Sequence, residues 1–514
     1  MRYYIGLDNG GTTTKAAIFD SFGNEVGSYS IDTELITFSS GYAERDMEKM
    51  WEANCGVIYK VLEKTNISPK DVACIGLSGH GKGLYLWSKE DKPLRYGILS
   101  TDQRALEIVK KWQESGVEAA AYEYSYQHIM ACQPVAILSW LKQNEPENYA
   151  NIKWIFECKD YIRFRLTGIA NAELTDYSGT NLLNLKTKNY DKKLLKLFGI
   201  EEIENALPPI CNSDSIVGTI NKETSAKTGL LEGTPVIGGM FDIDACAIGS
   251  GLIDESKICM IAGTWSINEY LRKEPVLDKR VKMNSLFALS NYYLIEESSP
   301  TSAGNLEWFI RNFLPELQVE LKARGKSIHE EVDKWVEEID VKEFVPIFLP
   351  FVMASNVHPN AKGSLIGMTL FHTRKHIVRA FFEGICFCHR YHLEKLLASK
   401  YDFIDENVLK KEVIRLSGGA ARAKVFAQMF ADVCGIKVET LAANEIGSLG
   451  CAIVCAKALG DYTDIKNAVE NMVHISGKFL PNVSKKKIYD KKYKVYKKII
   501  ESLDSVWEDM QGLI

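Results

Sequence analysis

The strongest constraint on this chain is where its first glycines fall. YYIGL reads as a strand, DNGGTTT as a turn, KAAIFD as a second strand, SFGN as another turn and EVGSYS as a third strand. Gly10 and Gly11 therefore close a hairpin. A dinucleotide-binding Rossmann unit needs a strand, a glycine loop and then a helix, so that fold is disfavoured at once. Downstream, MEKMWEANCGVIYKVLEKT has helical spacing and DVACIGLSG reads as a buried strand ending in glycine. Helices and strands keep alternating through RALEIVKKWQES, PVAILSWLKQN and WIFECKDYIRFRLTG, the pattern of an α/β chain. The opening pattern then recurs. After the turn-rich GTPVIGGMFDIDACAIGSG, from Gly233 to Gly251, ICMIAGTWS is again a strand followed by small polar residues. The chain has 514 residues. A typical domain has about 150. The echo is therefore read as a second domain of similar architecture, with boundaries 1–248 and 249–514.

Composition excludes several classes of function. Lys+Arg 62 against Asp+Glu 67 leaves a net charge of -5, which gives no global attraction to nucleic acid or to an anionic membrane. No apolar run approaches the ~18 residues of a membrane span. The most apolar stretch, FVPIFLPFVMA, is broken by Pro346 and Pro350. MRYYIGLDNGG lacks the continuous apolar core of a signal peptide. The 12 cysteines are scattered without a CxxC pair, so free buried thiols and a reducing, cytoplasmic setting are expected. Near the end, SKKKIYDKKYKVYKKIIESL places Ile488, Val495, Ile499 and Leu503 along one face. Its lysines read as the solvated side of a terminal helix, because no base-stacking aromatic platform accompanies them.

Chemistry concentrates in the turns. Asp8 sits at a strand end, followed by Gly10, Gly11, three threonines and Lys15. Glycines let backbone N–H groups approach phosphate oxygens, and hydroxyls add short hydrogen bonds. Asp8 suits Mg²⁺, which favours one or two carboxylates plus phosphate oxygens. A polar hairpin turn is the plainer account of the same residues. Gly76 to Gly83 matches GxxxxGK, but Gly83 stands where a P-loop needs Ser or Thr, and LYLWSKEDKPL reads as a strand and turn rather than a helix. Lys82 beside His80 then suits either a polar small-molecule pocket or a simple strand-end turn. In GGMFDIDACAIGSG, Asp242 or Asp244 can accept a proton from a substrate hydroxyl or cap the following helix. Gly263 and Thr264 form a second small-residue turn, and Gly418, Gly419 and Arg422 lie between a strand and a helix. His372 and His376 are four apart without an HExxH pattern, which favours capping over metal; His389 and His392 are read as structural too.

Together these turns resemble the FGGY carbohydrate kinases, a family within the superfamily of sugar kinases, actin and heat-shock-type ATPases. The resemblance runs from IGLDNGGTTTKAAIFD to GCAIVCAKALG. It includes GYAERDMEKMW, STDQRA, KDYIRFRLTG, TDYSGTNLLNL, GTPVIGGMFD, GTWS, LFHTRKHIVRAFFEGICF and RLSGGAARAKVFAQMFADVCGIKVE. It implies two actin-like (ribonuclease H-like) domains with ATP, Mg²⁺ and a sugar in the cleft between them. By position, Asp8 falls in the metal and phosphate site, and Gly10, Gly11, Thr12, Thr13 and Lys15 in the first phosphate segment. Asp242 matches the catalytic base, Gly263 and Thr264 the second phosphate turn, and Gly418, Gly419 and Arg422 the adenosine segment. Arg422 stands where a small residue is common. Glu445, in EIGSLGCA, falls near the nucleotide.

The sugar-facing residues implied are His80, Lys82, Asp102, Arg104 and Asp242. Kinases of D-xylulose commonly carry Gln-Met-His-Gly where this chain has His80-Gly81-Lys82-Gly83. SGHGKGLYLW, ILSTDQRALEIVKKWQ and ESSPTSAGNLEWF look like the L-xylulose kinase branch. The expected reaction is phosphorylation of a terminal hydroxyl of a ketopentose such as L-xylulose, with D-xylulose, gluconate, glycerol or an erythritol-type polyol as alternatives. The expected partner is a small sugar or polyol, not nucleic acid or a membrane; a homodimer is compatible with this reading. From a different class, an actin-like or chaperone-like nucleotide switch would use the same phosphate turns without phosphorylating a sugar.

Overall fold

The computed structural model describes residues 2–278, 281 and 283–511. Among them, two seven-stranded sheets organise the chain. The first contains β1 (Tyr3–Asn9), β2 (Thr13–Asp20), β3 (Glu25–Asp32), β4 (Val72–Gly79), β5 (Ile216–Thr219), β6 (Pro235–Ile237) and β7 (Met240–Phe241). Its order is β5-β6-β4-β1-β2-β3, with β7 also beside β4. The meander read from the first thirty residues is present: β1 and β2 pair antiparallel, Asp8 opposite Lys15, and β3 continues from β2. The second sheet contains β8 (Lys257–Ala262), β9 (Ser266–Arg272), β10 (Met283–Leu286), β11 (Tyr293–Ser299), β12 (Val413–Ser417), β13 (Lys437–Leu441) and β14 (Ile475–Phe479), in the order β10-β11-β9-β8-β12-β13-β14.

The two sheets repeat one device. In the first, the β1–β2 hairpin has the parallel strand β4 alongside β1. In the second, the β8–β9 hairpin has the parallel strand β12 alongside β8. A turn at each hairpin tip and a turn after each parallel strand therefore emerge at one end of a sheet, where a strand-end ligand site belongs.

Helices cover the sheets. Asp46 caps α1 (Met47–Thr65) by accepting from the Glu48 and Lys49 amides, and Met50, Trp51, Ile58 and Val61 turn its apolar stripe inward. α2 (Cys158–Thr167) buries an unusually polar face, including Lys159, Asp160 and Arg163. α3 (Asp242–Gly249) follows β7 directly, α4 (Arg374–Lys400) is the longest helix, and α5 (Ile446–Ala458) is buried on nearly every side. Although α5 comes late in the chain, it lies on the first sheet and against α3. A Cβ on Gly6 would stand 2.2 Å from the Ser448 carbonyl oxygen, and one on Gly450 would stand 2.0 Å from that of Ala245. Only glycine permits these approaches. One apolar cluster thus joins Tyr4, Phe19 and Cys74 of the first sheet, Ile243 and Ala247 of α3, Leu449 and Ile453 of α5, and Cys259 and Leu271 of the second sheet.

Helix α6 (Val483–Ser502), followed by a short helix at Asp504–Gln511, keeps Ile488, Ile499 and Leu503 of the expected face against the core but buries tyrosines beside them. Tyr489, Tyr493, Tyr496 and Ile500 are buried, while Val495 is exposed. Tyrosine bodies carry the centre of the apolar stripe, which aliphatic residues alone do not disclose. All 12 cysteines are free. Among the described residues, no helix is long and apolar enough to cross a membrane.

Candidate active site

At the β1–β2 tip, the Gly10 amide donates to the Thr13 carbonyl at 3.0 Å. The carbonyls of Gly10 and Gly11 accept from the Arg45 guanidinium, and that of Thr12 accepts from the Thr33 amide at 2.8 Å. Among the described residues, the Gly11 and Thr12 amides donate to no protein acceptor. Adding a Cβ at Gly11, Gly263 or Gly419 meets nothing within 4 Å, and none of the three has a left-handed φ. Internal packing therefore does not require glycine there, whereas a ligand drawn close to the backbone does.

Asp8 lies half-buried beside this turn and accepts from the Ser78 hydroxyl at 3.0 Å. The first turn of α5 stands over it: a Cβ on Gly447 would lie 3.6 Å from the Asp8 carboxylate. Burial lifts the Asp8 carboxyl above its ordinary value, against the pull of Lys15 and Ser78. Lys15 pairs with Glu445 at 3.2 Å across the cleft. Burial opposes the Lys15 charge, but Glu445 and Asp8 outweigh it and hold the ammonium above its usual value. Arg422 is exposed and close enough to Lys15 to oppose that charge. A single accessible carboxylate beside unpaired amides and a lysine fits Mg²⁺ brought in with a nucleotide, since that ion keeps waters and phosphate oxygens as its other ligands. No cluster of three or more His, Cys, Asp or Glu suited to a metal occurs among the described residues. The His372/His376 pair is explained locally: His376 completes a capping box with Thr373, and His372 bonds the Phe344 carbonyl.

Across the cleft, Gly263 and Thr264 connect β8 to β9. The Gly263 carbonyl accepts from the Gly304 amide at 3.3 Å. Behind this turn, His389 bridges Ser266 through Nδ1 at 3.0 Å and Ser302 through Nε2 at 2.7 Å. Burial, then His392, lowers the His389 pKa to about 3. The ring is therefore neutral, with one nitrogen donating and the other accepting. Gly418 has φ 84°, and a Cβ there would lie 2.7 Å from the Ala262 carbonyl oxygen, so the turn after β12 presses onto the end of β8. Gly419 and Arg422 bound the short 3-10 turn that follows.

On the first-sheet side, Asp242 is the first residue of α3 and half-buried, and its side chain does not cap the helix. Burial, then Asp8 and Asp176, pushes its carboxyl well above the carboxylate range, while Lys82 pulls it back. Asp244 is fully buried with both oxygens unbonded; burial, then Glu173 and Glu269, pushes it well above its usual value. Lys82 adopts φ 66° and stands 5.7 Å over the Phe241 ring. It has no hydrogen-bond or ion-pair partner among the described residues. A β-unbranched residue held in the left-handed region is strained, which is frequent at ligand sites. His80 is buried with Nε2 2.9 Å from the Tyr85 hydroxyl; burial, then Arg45, lowers its pKa to about 3. Asp102 and Arg104 occupy a separate arrangement: Arg104 pairs with Asp102 at 2.9 Å and Glu44 at 2.6 Å, and lies over the Tyr42 ring at 4.4 Å. Their charges are matched internally.

The segments KDYIRFRLTG and TDYSGTNLLNL carry a buried ion cluster that no motif in them announces. The structure shows Lys159 fully buried among Asp160 at 2.9 Å, Asp176 at 3.0 Å and Glu173 at 3.3 Å. Asp176 Oδ1 has no hydrogen bond and faces the Gly81 turn, where a Cβ would come within 2.8 Å of it. The density of charged residues in an otherwise apolar helix such as α2 was the available signal.

Comparison with known proteins follows this geometry. The FGGY family of carbohydrate kinases matches in its N-terminal domain over residues 3–249 and in its C-terminal domain over residues 258–459. A probable L-xylulose kinase of Pasteurella multocida is 34% identical over 510 residues, covering 98% of this chain and 100% of the relative. An L-xylulose/3-keto-L-gulonate kinase of Escherichia coli is 35% identical over 509 residues, covering 98% and 97%. The solved ligand-bound xylulose kinase of Lactobacillus acidophilus superposes with a TM-score of 0.85 at 24% identity, covering 99% of this chain and 100% of that one. With both domains matched across most of its length, the chain belongs to the FGGY family of carbohydrate kinases.

Proposed function

We propose that this ATP-dependent sugar kinase phosphorylates a terminal hydroxyl of a ketopentose, with L-xylulose the leading substrate. What supports the reading is that Asp8 and Asp242 lie within electrostatic reach of each other and that three strand-end turns carry glycines, Gly11, Gly263 and Gly419, with open space for a ligand. Gly11 and Thr12 offer free amides to one end of a polyphosphate, and Gly263 and Thr264 face it from the second sheet. Gly418 and Gly419 form the adenosine side, with Lys15, Arg422 and Glu445 around it. Bound Mg²⁺, held by Asp8, neutralises phosphate charge. The division into units at 248/249 belongs to the same proposal, with the cleft between them.

Asp242 accepts a hydrogen bond from the sugar hydroxyl and orients it. Phosphoryl transfer has a loose transition state, so positioning and charge neutralisation supply most of the acceleration. Without ligands, burial and then the charges of Asp8 and Asp176 raise the proton affinity of Asp242. Mg²⁺ held by Asp8 would offset the Asp8 charge and so favour the ionised form of Asp242 that can accept a proton, against the burial that opposes it. Closure of the cleft excludes water.

A second reading of the substrate rests on Lys82. Its unpaired, half-buried ammonium, within electrostatic reach of Asp242 but not bonded to it, suits a carboxylate on the sugar away from the reacting hydroxyl, which favours a keto-sugar acid alongside the neutral ketopentose. An ADP-release assay over L-xylulose, D-xylulose, 3-keto-L-gulonate, gluconate, glycerol and erythritol tests both readings. The first expects the highest kcat/KM with L-xylulose. Asp242→Asn should lower kcat about 10²- to 10⁴-fold while the protein stays folded. Near-normal turnover in that variant removes Asp242 from the base role. ATP turnover indifferent to every sugar supports the nucleotide switch instead. Under the second reading, Lys82→Met loses the acid substrate selectively.

A further inference from the structure

Arg45 lies in the GYAERDMEKMW segment, on a two-residue strand, Glu44–Arg45, paired with Gly97–Ile98. Its side chain is among the largest fully buried groups of the chain, with a relative exposure of 1%. Buried guanidinium groups are ordinarily matched by a carboxylate, because an unmatched buried charge is costly. Here no carboxylate pairs with it among the described residues. Glu44, its neighbour, is engaged by Arg95 and Arg104, and Asp46 caps α1. The guanidinium instead donates from one terminal nitrogen to the Gly10 carbonyl at 3.3 Å and from the other to the Gly11 carbonyl, while its Nε has no partner.

The consequence follows from peptide geometry. In a trans peptide the N–H points opposite to the C=O. When the Gly10 and Gly11 carbonyls face Arg45, the N–H groups of Gly11 and Thr12 must face away from it. Those are the two amides that donate to nothing in the protein, and both residues are exposed. A positive charge thus sits behind the turn and two oriented donors stand in front of it, with no carboxylate hydrogen-bonded to that guanidinium among the described residues.

We propose that Arg45 is a positioning residue for the nucleotide: it sets the two peptide planes of the first turn and lends the turn a positive charge, bound to no carboxylate, that attracts polyphosphate. The inference rests on reading residues 10–13 as a phosphate turn. Arg45 does not touch the ligand; it acts through Gly11 and Thr12. It also stands near enough to His80 to oppose protonation of that imidazole, which places it between the phosphate turn and the sugar side.

Calorimetric binding of MgADP and of AMP to the full chain, without sugar, tests this apart from turnover. Arg45→Met should weaken MgADP about tenfold or more, in line with losing charge-assisted hydrogen bonds, and leave AMP within about twofold. Arg45→Lys keeps the charge but cannot fork onto two carbonyls, so its MgADP affinity should fall between the other two. Arg45→Lys also carries the test if Arg45→Met does not fold. Wild-type MgADP affinity in the folded variants overturns the proposal, as does equal weakening of MgADP and AMP. Gly11→Glu separates the two layers, since its side chain has open space. Unchanged MgADP binding in Gly11→Glu overturns the phosphate-turn reading. Weakened binding there, with Arg45→Met unaffected, overturns the role of Arg45 alone.

Discussion

Two buried histidines make the clearest residue-scale prediction. His80 and His389 both have pKa values near 3 in the folded chain, lowered first by burial and then by Arg45 and His392 respectively. An unfolded histidine takes a proton below about pH 6.5. Their contribution to stability is therefore fully present above that pH and is lost as pH falls toward 3. At pH 5 each costs about 2 kcal/mol relative to neutral pH. Asp176 has the opposite sign. Burial lifts it to about 7, so it penalises folding above that pH and the penalty is relieved as pH falls toward 4. Urea midpoints measured from pH 8 to 5 should fall less steeply for His389→Gln than for wild type, and more steeply for Asp176→Asn. Parallel curves would contradict both assignments. Asp8, Gly10, Gly11 and Asp242 were legible as chemistry because strand-end carboxylates and clustered glycines carry a local signal. Asp176 and Lys159 were not, because their role depends on a buried ion cluster whose partners are spread from residue 159 to 176 on separate elements. Asp102 and Arg104 were named as sugar-facing from the resemblance, whereas their pairing with each other and with Glu44 needs three dimensions.

The glycines separate packing from function at the scale of the elements. On α5, Gly450 meets the Ala245 backbone, which cannot yield as a flexible side chain would. Gly450→Ala should therefore destabilise the chain by about 1–3 kcal/mol or more. Gly419→Ala and Gly263→Ala, with open space at the added methyl, should leave the unfolding midpoint near wild type. If they matter, nucleotide affinity will show it. Chemical denaturation of the three variants checks the contrast, and a Gly450→Ala protein as stable as wild type would show that α3 and α5 can separate freely. Strand and hairpin order was readable from turn chemistry, including the strand Tyr85–Ser88 where a P-loop would require a helix. The buried face of α6 was readable in part: Ile488, Ile499 and Leu503 pack against the core, but the tyrosines at 489, 493 and 496, amphipathic in sequence, take its centre and Val495 is exposed.

Across the whole molecule, the glycine echo disclosed two similar sheets but not how they share helices. α5 follows β13 in the chain yet covers β1 and β4 of the first sheet, through close approaches at Gly6 and Gly76. Residues so far apart in sequence leave no periodic signal of that contact. Further ties cross the same boundary: Tyr4 and Arg2 bond Asp461, Lys457 bonds Asp214, and the Tyr462 hydroxyl donates to the Ser21 carbonyl at 2.6 Å. A fragment of residues 1–248 would expose the face of β1 and β4 that α5 covers, together with Tyr4, Phe19 and Cys74 from the central apolar cluster. It should therefore lack a cooperative thermal transition, even though it contains the whole first sheet and the proposed first phosphate turn. Adding residues 440–462 as a separate peptide should restore part of that transition by returning the missing helix. Circular dichroism melting of the fragment, alone and with the peptide, reads the outcome directly. A fragment that melts cooperatively by itself would mean that the first sheet is a self-sufficient unit and that α5 merely leans on it. Cleft opening would then require little loss of packing. If the fragment needs the peptide, opening must pivot about α3 and α5, with their glycine-mediated contacts kept intact, and the Lys15–Glu445 pair becomes the outer contact that such a pivot would break first.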